Sequence, residues 1–202
     1  MAKPIVVYLE LGSKRVFACA IDWPGWARSA KTEDAALEAL ASYAPRYRVV
    51  PEEARVAFAS GPFEVVERVP GDGTTDFGAP GAIPAIDTAT PLRAKEAERL
   101  ASLVEASWTV FDRVVAGAPP TLRKGPRGGG RDRDPIVAHV ADAEAAYARR
   151  IGLGKGDTSR DDILGALRAG PAAGAKWPPR YGARRIAWHA LDHAWEIEDK
   201  SD

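Results

Sequence analysis

Three histidines, the only ones in a chain of 202 residues, are the side chains whose type and spacing could do chemistry. His189 and His193 are four residues apart in a segment with helical periodicity, which places both imidazoles on one helix face, about 5–6 Å apart at Cβ. His139 falls on the predicted interior face of another helix, three residues after Ile136. Imidazoles that meet inside a protein can form a three-nitrogen metal site with an open position for water or substrate.

Histidines in this pattern also occur in proteins that bind no metal. A pair of histidines four residues apart arises by chance on many helices, and a single interior histidine is more often a hydrogen-bonded core residue than a ligand. Burying three imidazoles without partners, however, would leave their desolvation uncompensated. A shared divalent metal ion would remove that penalty, so the sequence favours His139, His189 and His193 as metal ligands.

Two carboxylates follow the histidines at one-turn spacing and are candidate catalytic residues. Asp142 comes one turn after His139, and Glu196 comes one turn after His193. Either carboxylate could accept a hydrogen bond from a ligating imidazole, or from water on the metal, and so fix the imidazole tautomer. The alternative is that both are solvated carboxylates at the margin of a helix.

A basic, glycine-rich segment from residue 122 to residue 134 leads directly into the His139 helix. Backbone N–H groups in a glycine turn at a helix start, with arginines nearby, suit a carboxylate or a phosphate. We therefore predict an anionic small-molecule substrate, with Arg127 and Arg131 of this segment and Arg185 near the start of the last helix as binding residues. The alternative is a flexible, solvated loop.

The elements that must position these residues follow from a change in hydrophobic periodicity along the chain. After residue 90 apolar residues recur every three or four positions, which predicts amphipathic helices. Four such helices in about 110 residues are most simply arranged as an antiparallel bundle. Their predicted starts are Thr90 with Pro91, Asp134 with Pro135, the capping segment 158–161, and Tyr181, the last helix running to Asp199.

The first 69 residues have a different pattern, typical of a small mixed α/β unit. Alternating apolar residues predict strands near 5–9, 16–22 and 63–69, and Thr32 can cap a helix with an acidic first turn. Residues 70–90 are rich in Gly, Pro and Thr and are predicted to be a connector that packs over one of the two units. The expected fold is α+β, with domains 1–69 and 91–202.

The helical part resembles the DinB-like superfamily, which includes thiol S-transferases. The similarity lies in His139-Val-Ala-Asp-Ala-Glu144 and in Trp188-His-Ala-Leu-Asp-His-Ala-Trp-Glu196, within residues 90–200. It implies an up-down-down-up four-helix bundle in which the three histidines bind a divalent metal, such as zinc or nickel. Some members of this superfamily transfer low-molecular-weight thiols or isomerise maleylpyruvate, so the resemblance also implies a thiol as a possible co-substrate.

The N-terminal part resembles the HicB-like fold over residues 4–69. The similarity rests on the Trp23-Pro-Gly-Trp26 turn followed by the Thr32-Glu-Asp-Ala helix start. In antitoxin relatives this module binds a toxin or mediates oligomerisation, but no DNA-binding segment follows it here, so the resemblance implies the fold rather than antitoxin function. The expected roles are shaping the metal pocket, or stabilisation and dimerisation.

Composition narrows the classes of function. The chain has 28 Lys and Arg against 28 Asp and Glu, so it lacks the basic surface of a dedicated nucleic-acid binder. One cysteine suits a reducing compartment, and no apolar run approaches the roughly 20 residues of a membrane span. With no secretory signal pattern at the N-terminus, we expect a cytoplasmic protein without nucleic-acid or membrane partners, and a homodimer is an open alternative.

These observations lead to a predicted function with two rivals. The leading hypothesis is a divalent-metal enzyme resembling thiol S-transferases, in which the metal activates a thiol or water. A metal-dependent hydrolase needs the same three histidines, so the sequence does not separate the two. The rival of another class is a non-catalytic binding or stress-response protein that uses the N-terminal unit for partners.

Overall fold

The structure is a computed structural model that describes residues 3–125, 129–156 and 158–201. Over these ranges the protein is mixed α/β, with one four-stranded sheet and helices of 4 to 24 residues. In chain order the elements are β1 (Ile5–Leu11), β2 (Val16–Ala20), β3 (Ala27–Ala30), α1 (Glu33–Ser42), α2 (Ala44–Tyr47), α3 (Val49–Glu53), β4 (Phe63–Pro70), α4 (Gly73–Phe77), α5 (Ile86–Ala89), α6 (Ala94–Gly117), α7 (Arg133–Arg150), α8 (Arg160–Ala169) and α9 (Pro179–Lys200).

The sheet has the strand order β3-β2-β1-β4. β1 and β2 form the predicted antiparallel hairpin, while β4 returns beside β1 in parallel, with a bulge between Val7 and Tyr8. The strand β3 was not predicted, because its four residues are too few to show a period of two. It forms because the turn at Gly25, which has a positive φ of 93°, brings Ala27 beside Cys19.

Both faces of the sheet are buried, so β1 and β2 have few exposed residues. Ile5, Val7 and Leu9 lie on the face that packs against α1, α6 and α9. Phe17, Cys19 and Ile21 lie together on the opposite face, as their alternation predicted, and pack with Trp188 and the segment after β4. Burial on both faces explains why apolar residues occupy consecutive positions in these strands.

The segment between β4 and α6 packs against the sheet and contains the short helices α4 and α5, which periodicity did not indicate. It is attached to the sheet by carboxylates. Glu10 is fully buried and accepts hydrogen bonds from Thr75 Oγ1, from Gly81 N at 2.9 Å and from Ala82 N at 3.0 Å. The expectation that this segment packs rather than swings freely is therefore confirmed.

The predicted starts of two long helices were wrong. α6 begins at Ala94 rather than beside Thr90, because the Thr90 carbonyl accepts a hydrogen bond from Arg180 at 2.8 Å instead of opening the helix. α7 begins at Arg133, with Asp132 rather than Asp134 at its N-cap. The capping box of α8 forms at Ser159 and Asp162, within one residue of the predicted segment.

The four helices after residue 90 pack around a core of their own, in which α6 contacts α8 and α9, and α7 contacts α9. That core meets the sheet. Leu103 and Val110 of α6 and Leu191 and Trp195 of α9 pack in one cluster with the strand residues. Trp188, Leu191 and Trp195 are thus core residues, as predicted. No helix within the described ranges combines the length and the apolar character needed to cross a bilayer.

Candidate metal centre

The three histidines lie together between α7 and α9. One ring nitrogen from each of His139, His189 and His193 lies within 4.8 Å of those of the other two. His139 Nε2 and His189 Nε2 are 3.3 Å apart, and the ring centroids are separated by 4.7 to 5.0 Å. The convergence expected from their spacing is therefore present in the fold.

Packing of α7 against α9 explains why the rings meet. Ile136 and Val140 flank His139 and are buried in the helical core, which turns the imidazole between them toward α9. On α9 the residues that enter the same core near the histidines are mostly small, including Ala187, Ala190 and Ala194. Small side chains let neighbouring elements approach closely, so His189 and His193 can reach across to α7.

The protonation of two of these imidazoles is set by their surroundings. Burial lowers the pKa of His189 to about 2, and the positive charge of Arg185 acts in the same direction. Burial also lowers the pKa of His139 below its usual value, with nearby His193 and Arg131 contributing. Both rings are consequently neutral at pH 7, which is the form in which an imidazole nitrogen coordinates a metal ion.

The third imidazole is oriented by a carboxylate. His193 Nδ1 lies 2.8 Å from Glu196 Oε2, and Glu196 also accepts a hydrogen bond from Lys200 Nζ. The hydrogen bond to His193, followed by the contact with Lys200, lowers the pKa of Glu196 to about 2. An ionised carboxylate can only accept, so Nδ1 carries the proton and the Nε2 lone pair of a neutral His193 is left available.

The other predicted site residues are less closely associated with the three imidazoles. Asp142 is exposed on α7, and within the described ranges no hydrogen bond engages its side chain. Arg131 is exposed just before α7, near enough for its charge to lower the pKa of His189, after the larger effect of burial. Arg185 lies over the Tyr147 ring at 5.3 Å and over the Trp188 ring at 4.7 Å. Arg127 falls outside the described residues.

The described parts of the basic segment pack against the end of α9. Arg123 donates from its backbone to Lys200 O at 2.9 Å and from its guanidinium to Asp199 O at 2.6 Å. The Asp132 carboxylate accepts from Leu122 N at 3.1 Å and from Lys124 Nζ. These contacts attach the segment to the helix that carries His189 and His193.

Two aromatic residues beside the histidines were not predicted as part of the site. The Tyr147 ring stands edge-on to His189 at 5.6 Å and contacts Trp177 at 5.1 Å. The sequence contained a signal for Tyr147, because it follows His139 by eight residues and this helical spacing places both on the same helix face. Trp177 precedes α9 in a segment without a period, so nothing in the sequence placed it here.

Three imidazole nitrogens are a donor set that suits a divalent metal ion, and the spacing of one pair of them agrees with zinc. Zinc–imidazole bonds of about 2.0–2.1 Å at a tetrahedral angle separate two ligand nitrogens by about 3.3–3.4 Å. The 3.3 Å between His139 Nε2 and His189 Nε2 agrees with this separation. The same distance also suits an N–H···N hydrogen bond between these two rings, while the third ring, His193, is held by Glu196.

Comparison with known proteins adds no relative to this picture. No protein-family model matches the chain, and no curated protein and no solved structure matches it either.

Proposed function

We propose that this protein binds one divalent metal ion, zinc or nickel, through His139, His189 and His193. The observation that carries the proposal is the convergence of the three ring nitrogens within 4.8 Å of one another. Three histidine ligands leave one position open in a tetrahedral site, the arrangement of catalytic rather than structural zinc. Bound there, such an ion supplies Lewis-acid chemistry that lowers the pKa of a thiol or of water.

Residues around the histidines support this proposal through their own chemistry. Glu196 holds the His193 ring and its tautomer, and Lys200 in turn holds Glu196. Arg131 and Arg185 bring positive charge close to His189. An anionic small molecule, such as a thiol with carboxylate groups, is the substrate class that these charges favour.

We propose further that α6 to α9 are a DinB-like four-helix bundle and that residues 4–69 are a HicB-like unit. The support is the order of the helices, their shared core and the position of the histidines on the second and last of them. Thiol S-transfer is the reaction this resemblance favours, with hydrolysis as the alternative. We also propose that the protein is located in the cytoplasm.

The number of metal ions bound per chain tests this proposal. Purified protein, stripped with a chelator and reloaded with Zn²⁺ or Ni²⁺, should retain about one ion per chain after desalting, as three-ligand sites do. The His189→Ala variant should retain almost no metal, because the two remaining imidazoles are too few ligands to hold the ion. Asp142→Asn is the matched control, since it changes a neighbouring polar group on α7 and should leave the stoichiometry at the wild-type value.

Two results would contradict the metal site. One is a wild-type protein that retains no ion from either metal, and the other is equal retention by the wild type and His189→Ala. Where the ion is retained, addition of a low-molecular-weight thiol to the Ni²⁺ form distinguishes thiol transfer from hydrolysis. A new thiolate-to-metal absorption band supports thiol transfer, whereas an unchanged spectrum favours hydrolysis.

A further inference from the structure

A second candidate site lies between the sheet and α9, on the face of the sheet that holds Cys19. It is a cavity of about 10 Å³, which is room for about one water-sized particle. Its walls are rich in aromatic residues and come from β1, β2, the turn before β3, the start of β3, the segment after β4 and α9. They include Tyr8, Cys19, Trp26, Tyr181 and Trp188.

Three buried hydrogen-bond donors without an acceptor belong to residues that line this cavity. They are Arg184 Nε, Arg185 Nη1 and Trp188 Nε1, and each lacks a partner within the described ranges. Arg184 and Trp188 are only 6% and 5% exposed, so solvent does not satisfy them. A buried donor left unpaired is strongly unfavourable, and three on residues that line one cavity indicate that an acceptor, either a water molecule or an anion, belongs there.

Most of the acceptors nearby are engaged, and the exception, Asp87 Oδ1, is buried without a partner within the described ranges but does not line the cavity. The Glu10 carboxylate is taken by Thr75, Gly81 and Ala82, and the Asp87 Oδ2 atom is paired with Arg184 Nη2. Burial raises the pKa of the Cys19 thiol to about 12 and raises that of Tyr8 well above its usual value. Neither side chain therefore supplies a negative charge.

Arg185 adds an uncompensated positive charge at the same place. Within the described ranges it forms no ion pair, and its guanidinium lies over the rings of Tyr147 and Trp188. Guanidinium and indole N–H groups donate and do not accept. The unpaired groups on this wall are all donors, and Arg185 carries a charge that no carboxylate compensates within the described ranges, whereas Arg184 is paired with Asp87. Such a wall favours an anion over a cation.

We propose that this cavity binds a small anion, either a halide ion or a carboxylate group, on Arg184, Arg185 and Trp188. The size of the cavity excludes a larger ligand held entirely inside it, so the occupant is a single ion or the terminal group of a molecule. None of the three histidines lines this cavity, but Arg185 and Trp188 lie beside His189, so the anion is tested on protein from which metal has been removed.

The test is the thermal stability of the full-length, metal-stripped protein at constant ionic strength. Chloride in one series and formate in the other replace isethionate, a sulfonate that offers neither a halide ion nor a carboxylate group. A ligand that binds only the native state raises Tm with a saturating dependence on its concentration. We expect such a rise with chloride, with formate or with both, and the stronger response identifies a halide site or a carboxylate site. No saturable rise with either anion would overturn the proposal and leave a water molecule as the occupant.

Two tryptophan variants show whether the response comes from this cavity. Trp188→Phe keeps an aromatic ring but removes the indole N–H, and it should weaken the apparent anion affinity about tenfold or more, as expected for a lost hydrogen bond to a charged group. Trp108→Phe is the matched control, since Trp108 Nε1 is also buried and unpaired within the described ranges but does not line the cavity. Equal anion responses in the two variants would count against the site, even if Trp188→Phe lowers the overall stability.

Discussion

At the scale of single residues, the tautomer of His193 follows from its contact with Glu196. The carboxylate is ionised over the whole neutral range, since its pKa is lowered to about 2, first by the hydrogen bond from His193. It therefore accepts the Nδ1 proton and leaves Nε2 as the nitrogen that can coordinate. This is the role that carboxylates hydrogen-bonded to histidine ligands commonly have in metal sites.

The Glu196→Gln variant tests this role. An amide can still accept one hydrogen bond from His193, but it lacks the negative charge that holds the imidazole and fixes its tautomer. We expect the metal affinity to fall about 10- to 100-fold, with the stoichiometry unchanged at saturation. The measurement is competition against a chromophoric chelator. Glu198→Gln, an exposed carboxylate two residues away, is the control, and equal affinities in the two variants would contradict the orienting role.

The stability of the metal-free protein should depend on pH through His189. Its pKa is about 2 in the folded protein because it is buried, against about 6.5 when unfolded. Between these values the unfolded chain binds more protons, so the free energy of unfolding decreases as the pH falls below about 6.5. The limiting slope from this residue alone, reached well below pH 6.5, is about 1.4 kcal/mol per pH unit, and His139, whose pKa is also lowered, adds to the slope.

Urea unfolding of the metal-free protein between about pH 7 and pH 5 measures this slope. Glu196 does not interfere, because its lowered pKa makes it contribute stability that is lost only below about pH 4.5. His189→Gln, which cannot titrate, should show a flatter dependence on pH. A slope equal to that of the wild type would show that His189 is not buried as a neutral ring.

At the scale of elements, one arginine attaches the segment before α6 to the last helix. Arg180 of α9 donates to three backbone carbonyls, those of Asp87 at 2.9 Å, Thr90 at 2.8 Å and Pro91 at 3.3 Å, and it also pairs with Glu96. Because these carbonyls are satisfied by a side chain, residues 90–93 need not be helical. This contact explains why α6 begins later than its sequence signals predicted.

The Arg180→Met variant should therefore lose more stability than an exposed ion pair would. It removes a largely buried cation and leaves its carbonyl and carboxylate partners unpaired, which costs about 3–5 kcal/mol in comparable sites. Arg168→Met is the control, since it removes only an exposed ion pair with Glu98, which solvent screens and which contributes little to stability. Urea unfolding gives both values, and equal losses would contradict the attachment.

At the scale of the whole molecule, the sheet and the long helices share one apolar interior. Leu191 is fully buried and lies so close to Gly25 that a Cβ there would meet its Cδ1 at 2.4 Å. The sheet thus packs directly on the helix that carries two of the three histidines. A unit formed by residues 1–69 alone would expose this surface, so we expect the two parts to unfold together.

Leu191→Ala tests the shared interior. Removing the side chain should cost about 2–5 kcal/mol through lost burial and the resulting cavity. Tryptophan fluorescence and far-ultraviolet circular dichroism should still report a single, coincident transition, shifted to lower denaturant. Ile83→Ala, which truncates an exposed apolar residue, should change stability by less than about 0.5 kcal/mol. Two separate transitions in the wild type would contradict the shared interior.

Local patterns in the sequence determined the long helices, the hairpin of β1 and β2 and the histidine pair on α9, because these depend on residues within a few positions of one another. They did not determine β3, the late start of α6 or the presence of Trp177 beside Tyr147. The start of α6 and the position of Trp177 depend on contacts with distant parts of the chain, such as Arg180 with the Thr90 carbonyl, whereas β3 is too short to show a period. Local propensity is a weak guide where tertiary partners supply the hydrogen bonds.

The sequence by itself therefore determined which side chains could hold a metal ion, since residue type and one-turn spacing are properties of a single helix. Only the tertiary structure decided that His139 meets the other two, because 50 residues separate it from His189 and the packing of α7 on α9 sets their distance. The cavity with three unpaired donors likewise exists only after folding. Its walls come from the sheet and α9, and no local pattern relates them.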